Sequence, residues 1–145
     1  MKLKLLKKIE TKQLLNIISE NYSANFKEVA KRDVGAMFSG RWAKPTYIVA
    51  TEKNKVVGFG GFGESWMDTN VCEIFWVNVQ KKYQAHGAGT SIMKEILRRI
   101  KKTKFSFIIL STTVPKFYYQ FGFKKLLILP KSKYTLMGLD TNKII

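Results

Sequence analysis

One cysteine, three prolines and one histidine in 145 residues leave several chemistries without material. A lone Cys72 builds neither a disulfide framework nor a cysteine-based metal site. It lies inside a strand-like run and reads as a small packing residue, not a nucleophile. With His86 the only histidine, a metal would want for ligands, so no metal is expected. Cysteine this sparse suits a cytoplasmic protein. No stretch reaches the roughly 18–20 apolar residues of a membrane span. The opening Met1-Lys2-Leu3-Lys4-Leu5-Leu6-Lys7-Lys8 is too interrupted by lysine for a signal peptide and reads as a first strand. Acids are also scarce: ten Asp/Glu stand against 26 Lys/Arg, for a net charge of +16.

That charge is uneven. Residues 1–80 carry twelve Lys/Arg and eight Asp/Glu, whereas residues 81–145 carry fourteen and two. A positive field of this kind draws in a polyanionic ligand, and equally a nucleic acid or a ribosome, so charge alone does not choose. With 46% hydrophobic residues the chain has material for a real core, and its length points to one domain over residues 1–145.

The hydrophobic periods give the elements. Thr11 is placed to cap a helix whose apolar face is Leu14, Leu15, Ile17, Ile18 and Tyr22. A second helix is expected over 25–33, and a loop over 35–44 ending at Pro45. Three strands follow, Thr46–Glu52, 56–67 and Val71–Val79, joined by the polar turns Lys53-Asn54-Lys55 and Asp68-Thr69-Asn70. Connections this short imply antiparallel pairing. Glycines 58, 60, 61 and 63 mark the middle strand for bulges or a close approach. After them, Ile92, Met93, Ile96, Leu97 and Ile100 make one helical stripe. Residues 105–110 read as a buried strand and a parallel crossover partner. Thr113-Val114-Pro115 starts a short helix that should stop at Gly122, before strands at 123–129 and 134–139. The order is β-α-α-β-β-β-α-β-α-β-β.

The most informative piece is Gln84-Ala85-His86-Gly87-Ala88-Gly89, set between the strand Val71–Val79 and the helix that begins near Ala88. Glycines at such a turn let the backbone approach a ligand, and amide N–H groups then converge, with the helix dipole, on one anion. A phosphate ester is the natural occupant.

This order, with its glycine turn after the fourth strand, resembles the GNAT superfamily of acyl-CoA-dependent N-acetyltransferases. The family pattern Gln/Arg-x-x-Gly-x-Gly/Ala is met by Gln84, Gly87 and Gly89. A second family signature is met by Phe117-Tyr118-Tyr119-Gln120-Phe121-Gly122-Phe123. The fold implied is α/β, a mixed, mostly antiparallel sheet with helices on both faces. The resemblance implies acetyl-CoA as acyl donor. Its pyrophosphate would be held by the backbone of Gln84, Ala85, His86, Gly87, Ala88, Gly89 and Thr90, and its pantetheine arm by the strand edge near Val77 and Val79. Gln84 replaces the commoner arginine. Thr112 and Pro115 stand where the family usually has asparagine and a small residue.

By the same resemblance Tyr118 is the general acid at the sulfur, while Tyr119, one residue on, diverges by about 100° around its helix. Glu73, fourteen residues before Gly87, matches the glutamate base of the histone acetyltransferase branch. Strand alternation puts it on one face with Phe75 and Val77 unless a bulge intervenes. Trp66 and Trp76 are candidates to line the amine site, with core packing as the alternative. The run from Arg98 to Lys104 reads as a solvated helix end, with the 3′-phosphate of CoA or RNA as other readings.

The expected activity is transfer of an acetyl group to a primary amine by direct attack on the thioester, a small amine before a protein lysine or N-terminus. The rival from another class is a non-catalytic acyl-CoA or nucleic-acid binding module. A homodimer is compatible with the sequence, and no membrane partner is expected.

Overall fold

The computed structural model describes residues 1–23, 25–39 and 44–145. Its strands are β1 (Lys2–Leu5), β2 (Thr46–Glu52), β3 (Lys55–Glu64), β4 (Val71–Val79), β5 (Phe107–Thr112), β6 (Lys124–Ile128) and β7 (Thr135–Asp140). Its helices are α1 (Thr11–Asn21), α2 (Asn25–Gly35), α3 (Ala88–Ile100) and α4 (Pro115–Tyr119). The strands form a seven-stranded sheet in the order β1-β2-β3-β4-β5-β7-β6. β1–β2, β2–β3, β5–β7 and β6–β7 pair antiparallel, while β4 and β5 pair parallel. The expected order and mixed sheet are therefore present. Of the expected loop, residues 40–43 lie outside the described set, and 36–38 form a 3-10 turn.

The chain forms two compact units, Met1–Gly63 with Trp76–Ile96, and Glu64–Phe75 with Leu97–Ile145. In the first, α1 buries Leu14, Ile17 and Ile18, and α3 buries Ile92, Met93 and Ile96, all at 1% exposure or less. Burying each such side chain stabilises the fold by about 1.5–3 kcal/mol. Thr11 is not the cap of α1. It is the first helical residue, following a 3-10 turn at Lys8–Glu10, and no side chain caps the helix. Glu10 takes over at this end, accepting from the Lys7 N–H at 2.8 Å and pairing with the Lys4 ammonium. Burial raises the Glu10 pKa, but Lys4 and Lys7 outweigh it and hold the carboxyl below its ordinary range.

The glycines of β3 have a packing reason. A Cβ at Gly60 would lie 2.9 Å from Ile96 Cδ1 and 3.1 Å from Ile92 Cγ2. One at Gly58 would lie 3.0 Å from both Ile92 Cδ1 and the Asn78 carbonyl oxygen. The absence of these methyls lets α3 lie close on the strand, and so places the turn that opens α3.

In the second unit the parallel ladder joins Val71, Cys72 and Glu73 to Phe107, Ile108 and Ile109. β5 alternates buried Ile108 and Leu110 with partly exposed Phe107 and Ile109, so it is not the uniformly buried run expected from composition. Its antiparallel pairing with β7 over six residues supports that half-exposed state. Gly122, at φ 92°, ends the turn after α4, as a left-handed glycine does.

Gly58→Ala should cost about 1–3 kcal/mol, because its methyl meets a backbone carbonyl that cannot rotate away. The urea midpoint of the variant measures this, and an unchanged midpoint would mean that α3 has room to spare.

Candidate functional site

The turn before α3 belongs to the first unit. A 3-10 turn at Lys81–Tyr83 leaves β4, and the chain then adopts left-handed conformations at Ala85 (φ 61°) and Gly87 (φ 84°). Left-handed residues in such a turn let neighbouring N–H groups face one concavity instead of alternating sides. Gly87 has no heavy atom within 4 Å of the position a Cβ would take, so the backbone dihedral and not space calls for glycine there. The first α3 bond at this end runs from Ser91 N–H to Gly87 O, at 3.0 Å. The amides of Ala88, Gly89 and Thr90 come before the helix's own ladder and are free for an anion. Ala85, His86 and Gly87 are exposed, Gly89 and Thr90 half-buried, and Ala88 buried.

Gln84 behaves differently from the residues after it. Its N–H donates to the Lys81 carbonyl at 3.2 Å, and its side-chain amide donates to the Val79 carbonyl at 3.0 Å. Both donors serve the turn itself. The Val79 carbonyl accepts a second bond, from Asn21 Nδ2 at the end of α1, at 3.1 Å. Asn21 also donates to Asn78 Oδ1 at 3.1 Å. The end of β4 is thus held from α1 and from the turn, while the Val77 and Val79 methyls lie 3.2 Å from the Cβ positions of Gly60 and Gly58. The clamp by Asn21 was invisible in the sequence, since 58 residues separate it from Val79.

Trp76 corrects the expected alternation. It has φ 54°, rare for a bulky residue, so the regular extended backbone is broken between Phe75 and Val77. The side of Glu73 and Phe75 is therefore not carried on to Val77 by alternation. The indole N–H of Trp76 donates to Asp33 Oδ2 at 2.9 Å. Its ring meets Tyr22 edge-on at 5.9 Å and Phe26 at 6.5 Å. Burial first, and then the Asp33 carboxylate, push the Tyr47 phenol well above its ordinary range, so it stays protonated.

The other expected residues sit in the second unit. Glu73 is half-buried and accepts a 2.9 Å hydrogen bond from Ser65 Oγ. Ser65 is itself fixed: its N–H donates to Val71 O at 2.8 Å, and its Oγ accepts from Met67 N–H at 3.1 Å. The hairpin pairing could have revealed Ser65, eight residues from Glu73 across the β3–β4 turn. Trp66 lies in that turn at 89% exposure. Tyr118, on α4, is buried, with edge-on contacts to Phe117 at 4.9 Å and Phe123 at 6.0 Å, whereas Tyr119 is exposed as expected. Thr112 is buried and accepts from Val114 N–H at 3.0 Å, immediately before Pro115 begins α4. Lys101, Lys102 and Lys104, beyond the end of α3, are exposed.

Among the described residues no His, Cys, Asp and Glu are grouped to hold a metal, and no helix is long and apolar enough to cross a membrane.

The fold is shared with solved acetyltransferase structures. A protein from Desulfovibrio desulfuricans assigned to the GNAT family of acetyltransferases superposes with a TM-score of 0.84 at 14% identity, over 97% of this chain and 98% of that one. The aminoglycoside 6'-N-acetyltransferase from Enterococcus faecium superposes at 0.80 with 13% identity, over 97% of each chain. The paia N-acetyltransferase from Thermoplasma acidophilum, solved with coenzyme A, superposes at 0.76 with 16% identity, over 97% and 99%. No curated protein matches the sequence. The sequence model of the Acetyltransferase (GNAT) family matches residues 11–123, and the chain belongs to that family. It is thereby an N-acetyltransferase whose acyl donor is acetyl-CoA.

Thr112→Val removes the oxygen that receives the Val114 N–H ahead of α4. Loss of a comparable helix-start acceptor costs about 0.5–2 kcal/mol, so the denaturation midpoint should fall while Thr112→Ser keeps it. Equal midpoints for the two variants would show that the bond contributes nothing.

Proposed function

We propose that residues 1–145 act as one catalytic domain that transfers the acetyl group of acetyl-CoA to a small primary amine by direct attack on the thioester. The observation that carries this reading is the turn at the head of α3. Left-handed Ala85 and Gly87 lead into three amides ahead of the helix ladder. Such a turn suits a diphosphate without any cationic side chain. In this reading the amides of Ala85–Thr90 hold the pyrophosphate, and Gln84 shapes the turn through Val79. Val77 and Val79 offer strand edge to the pantetheine arm.

An unperturbed alkylamine has a pKa of about 10.4, so the amine has to lose a proton before it attacks. Glu73, directly or through water, is assigned that proton, and its bond from Ser65 Oγ fixes the orientation of the carboxylate. Tyr118 is assigned the proton given to the departing sulfur, and backbone amides near Val79 the polarisation of the thioester carbonyl. Several fold neighbours are aminoglycoside acetyltransferases, and aminoglycosides are small-molecule amines, which supports the small-amine reading over a protein lysine. A strongly basic protein tail would also be repelled by a chain of charge +16. A cytoplasmic setting belongs to the same proposal.

Two measurements test the reading. In Gly87→Ala the free turn should relax out of the left-handed backbone, and restoring it on binding at a cost of about 1–2 kcal/mol should weaken CoA binding about 5- to 30-fold by calorimetry. Wild-type affinity in that variant would remove the turn from the donor site. Tyr118→Phe and Glu73→Gln should each lower kcat about 10²- to 10⁴-fold while leaving CoA affinity within a factor of about two. Retained turnover in either would cancel that residue's assignment, and a wild-type protein without turnover on any amine would favour the binding-module alternative.

A further inference from the structure

The order of residues along β4 says where the acyl end of the donor goes. With the diphosphate at the 84–90 turn and the arm beside Val79 and then Val77, the next residue along the strand is Trp76. Here the backbone turns left-handed, and the outlier is held in place from three sides. Asp33 receives the indole N–H, Tyr22 meets the ring edge-on, and Phe26 does so from α2. Tyr22 and Phe26 also touch each other, with centroids 5.3 Å apart. All of this lies in the first unit. The cluster remains accessible: Phe26 is 39% exposed, Val29 one turn along is 41% exposed, and Tyr22 and Trp76 are half-buried.

The acid in this cluster is already engaged. Asp33 Oδ1 receives Arg32 Nε at 3.0 Å and Arg32 Nη2 at 2.9 Å, while Oδ2 receives Trp76. Its charge is balanced by the guanidinium and it serves the indole. α2 as a whole carries Lys27, Lys31 and Arg32 against Glu28 and Asp33. A polycationic amine needs several uncommitted carboxylates around its ammonium groups, and with Asp33 engaged α2 offers Glu28 alone, among three cations and the rings. We infer that the acceptor is a monoamine with an aromatic or branched apolar body that packs on Tyr22, Phe26 and Trp76, and that polycationic amines are poor acceptors. This rests on the acetyl-transfer reading above and names the class of amine within it.

The test compares 2-phenylethylamine with spermidine and kanamycin in thiol-release assays with acetyl-CoA, on the wild type and on Phe26→Ala and Phe26→Tyr. Phe26 is 39% exposed, so Phe26→Ala is expected to stay folded, which its circular dichroism and urea midpoint check before the kinetics. The expected result is a kcat/KM for phenylethylamine at least about tenfold above either polycation, from ring packing that the polycations cannot reproduce. Phe26→Ala should raise KM for phenylethylamine about tenfold with KM for acetyl-CoA unchanged, and Phe26→Tyr should restore it. Preference for spermidine or kanamycin, or a phenylethylamine KM indifferent to Phe26→Ala, would overturn the inference and leave acetyl transfer standing. If no amine is acetylated, the transfer reading falls, and calorimetry of phenylethylamine with the CoA-saturated protein decides the cluster separately. Binding that weakens in Phe26→Ala would support the apolar seat, and no binding would overturn it.

Discussion

The first amides of a helix have no partner within the helix, and in this protein the opening of α3 depends on that constraint. Every α-helix exposes such donors, but two further conditions give them direction here. Ala85 and Gly87 are left-handed, which aims the amides on the approach to α3. The missing side chains at Gly58 and Gly60 let Ile92 and Ile96 lie against β3 at a distance that a methyl would prevent. The turn is thereby tied to a packed helix and a strand, and not to a mobile loop. A concavity of neutral donors gains much from being rigid, because its ligand then meets groups that need no reordering.

The end of β4 shows the same economy of parts. The Val79 carbonyl accepts from Gln84 on the turn side and from Asn21 on the α1 side. Two side chains from distant parts of the sequence meet on one backbone oxygen, and α1 is thus coupled by hydrogen bonds to the strand that leads into the glycine turn. Asn78, the neighbour of that oxygen, is buried and accepts from the same Asn21. A change in how α1 ends would be felt within one residue of the turn's anchor.

What was legible in the sequence follows from the range of each signal. β2 and β4 were readable to the residue, because their apolar residues lie between polar turns. α3 was readable from its stripe at helical spacing. Gly87 was marked as a turn glycine without its dihedral, and nothing marked Ala85, which is left-handed beside it. Trp76 was equally silent. A tryptophan gives no local hint of a left-handed backbone, and what holds it there comes from Tyr22, Phe26 and Asp33, some 43 to 54 residues earlier. Thr11 misled for a related reason: it has the composition of a cap, but Glu10 with Lys4 and Lys7 organises that end of α1. Ser65 and Thr112 are small hydroxyl residues whose value lies in one or two hydrogen bonds each, and composition does not separate them from ordinary loop residues.

The charge of +16 has a consequence for the amine that differs from its consequence for the donor. A positive potential attracts a phosphate-bearing donor at distances up to about one Debye length, roughly 8–10 Å at physiological salt, before any hydrogen bond forms. The same potential opposes an ammonium ion. Direct attack, however, uses the neutral amine. A field that disfavours the cation lowers the amine's pKa once it is bound, by one unit for each 1.36 kcal/mol of differential interaction. In the proposed reaction the basic surface therefore does part of what a general base would otherwise have to do alone. It does so at the cost of weaker capture of the acceptor, which then has to be held by contact with apolar surface and not by countercharge.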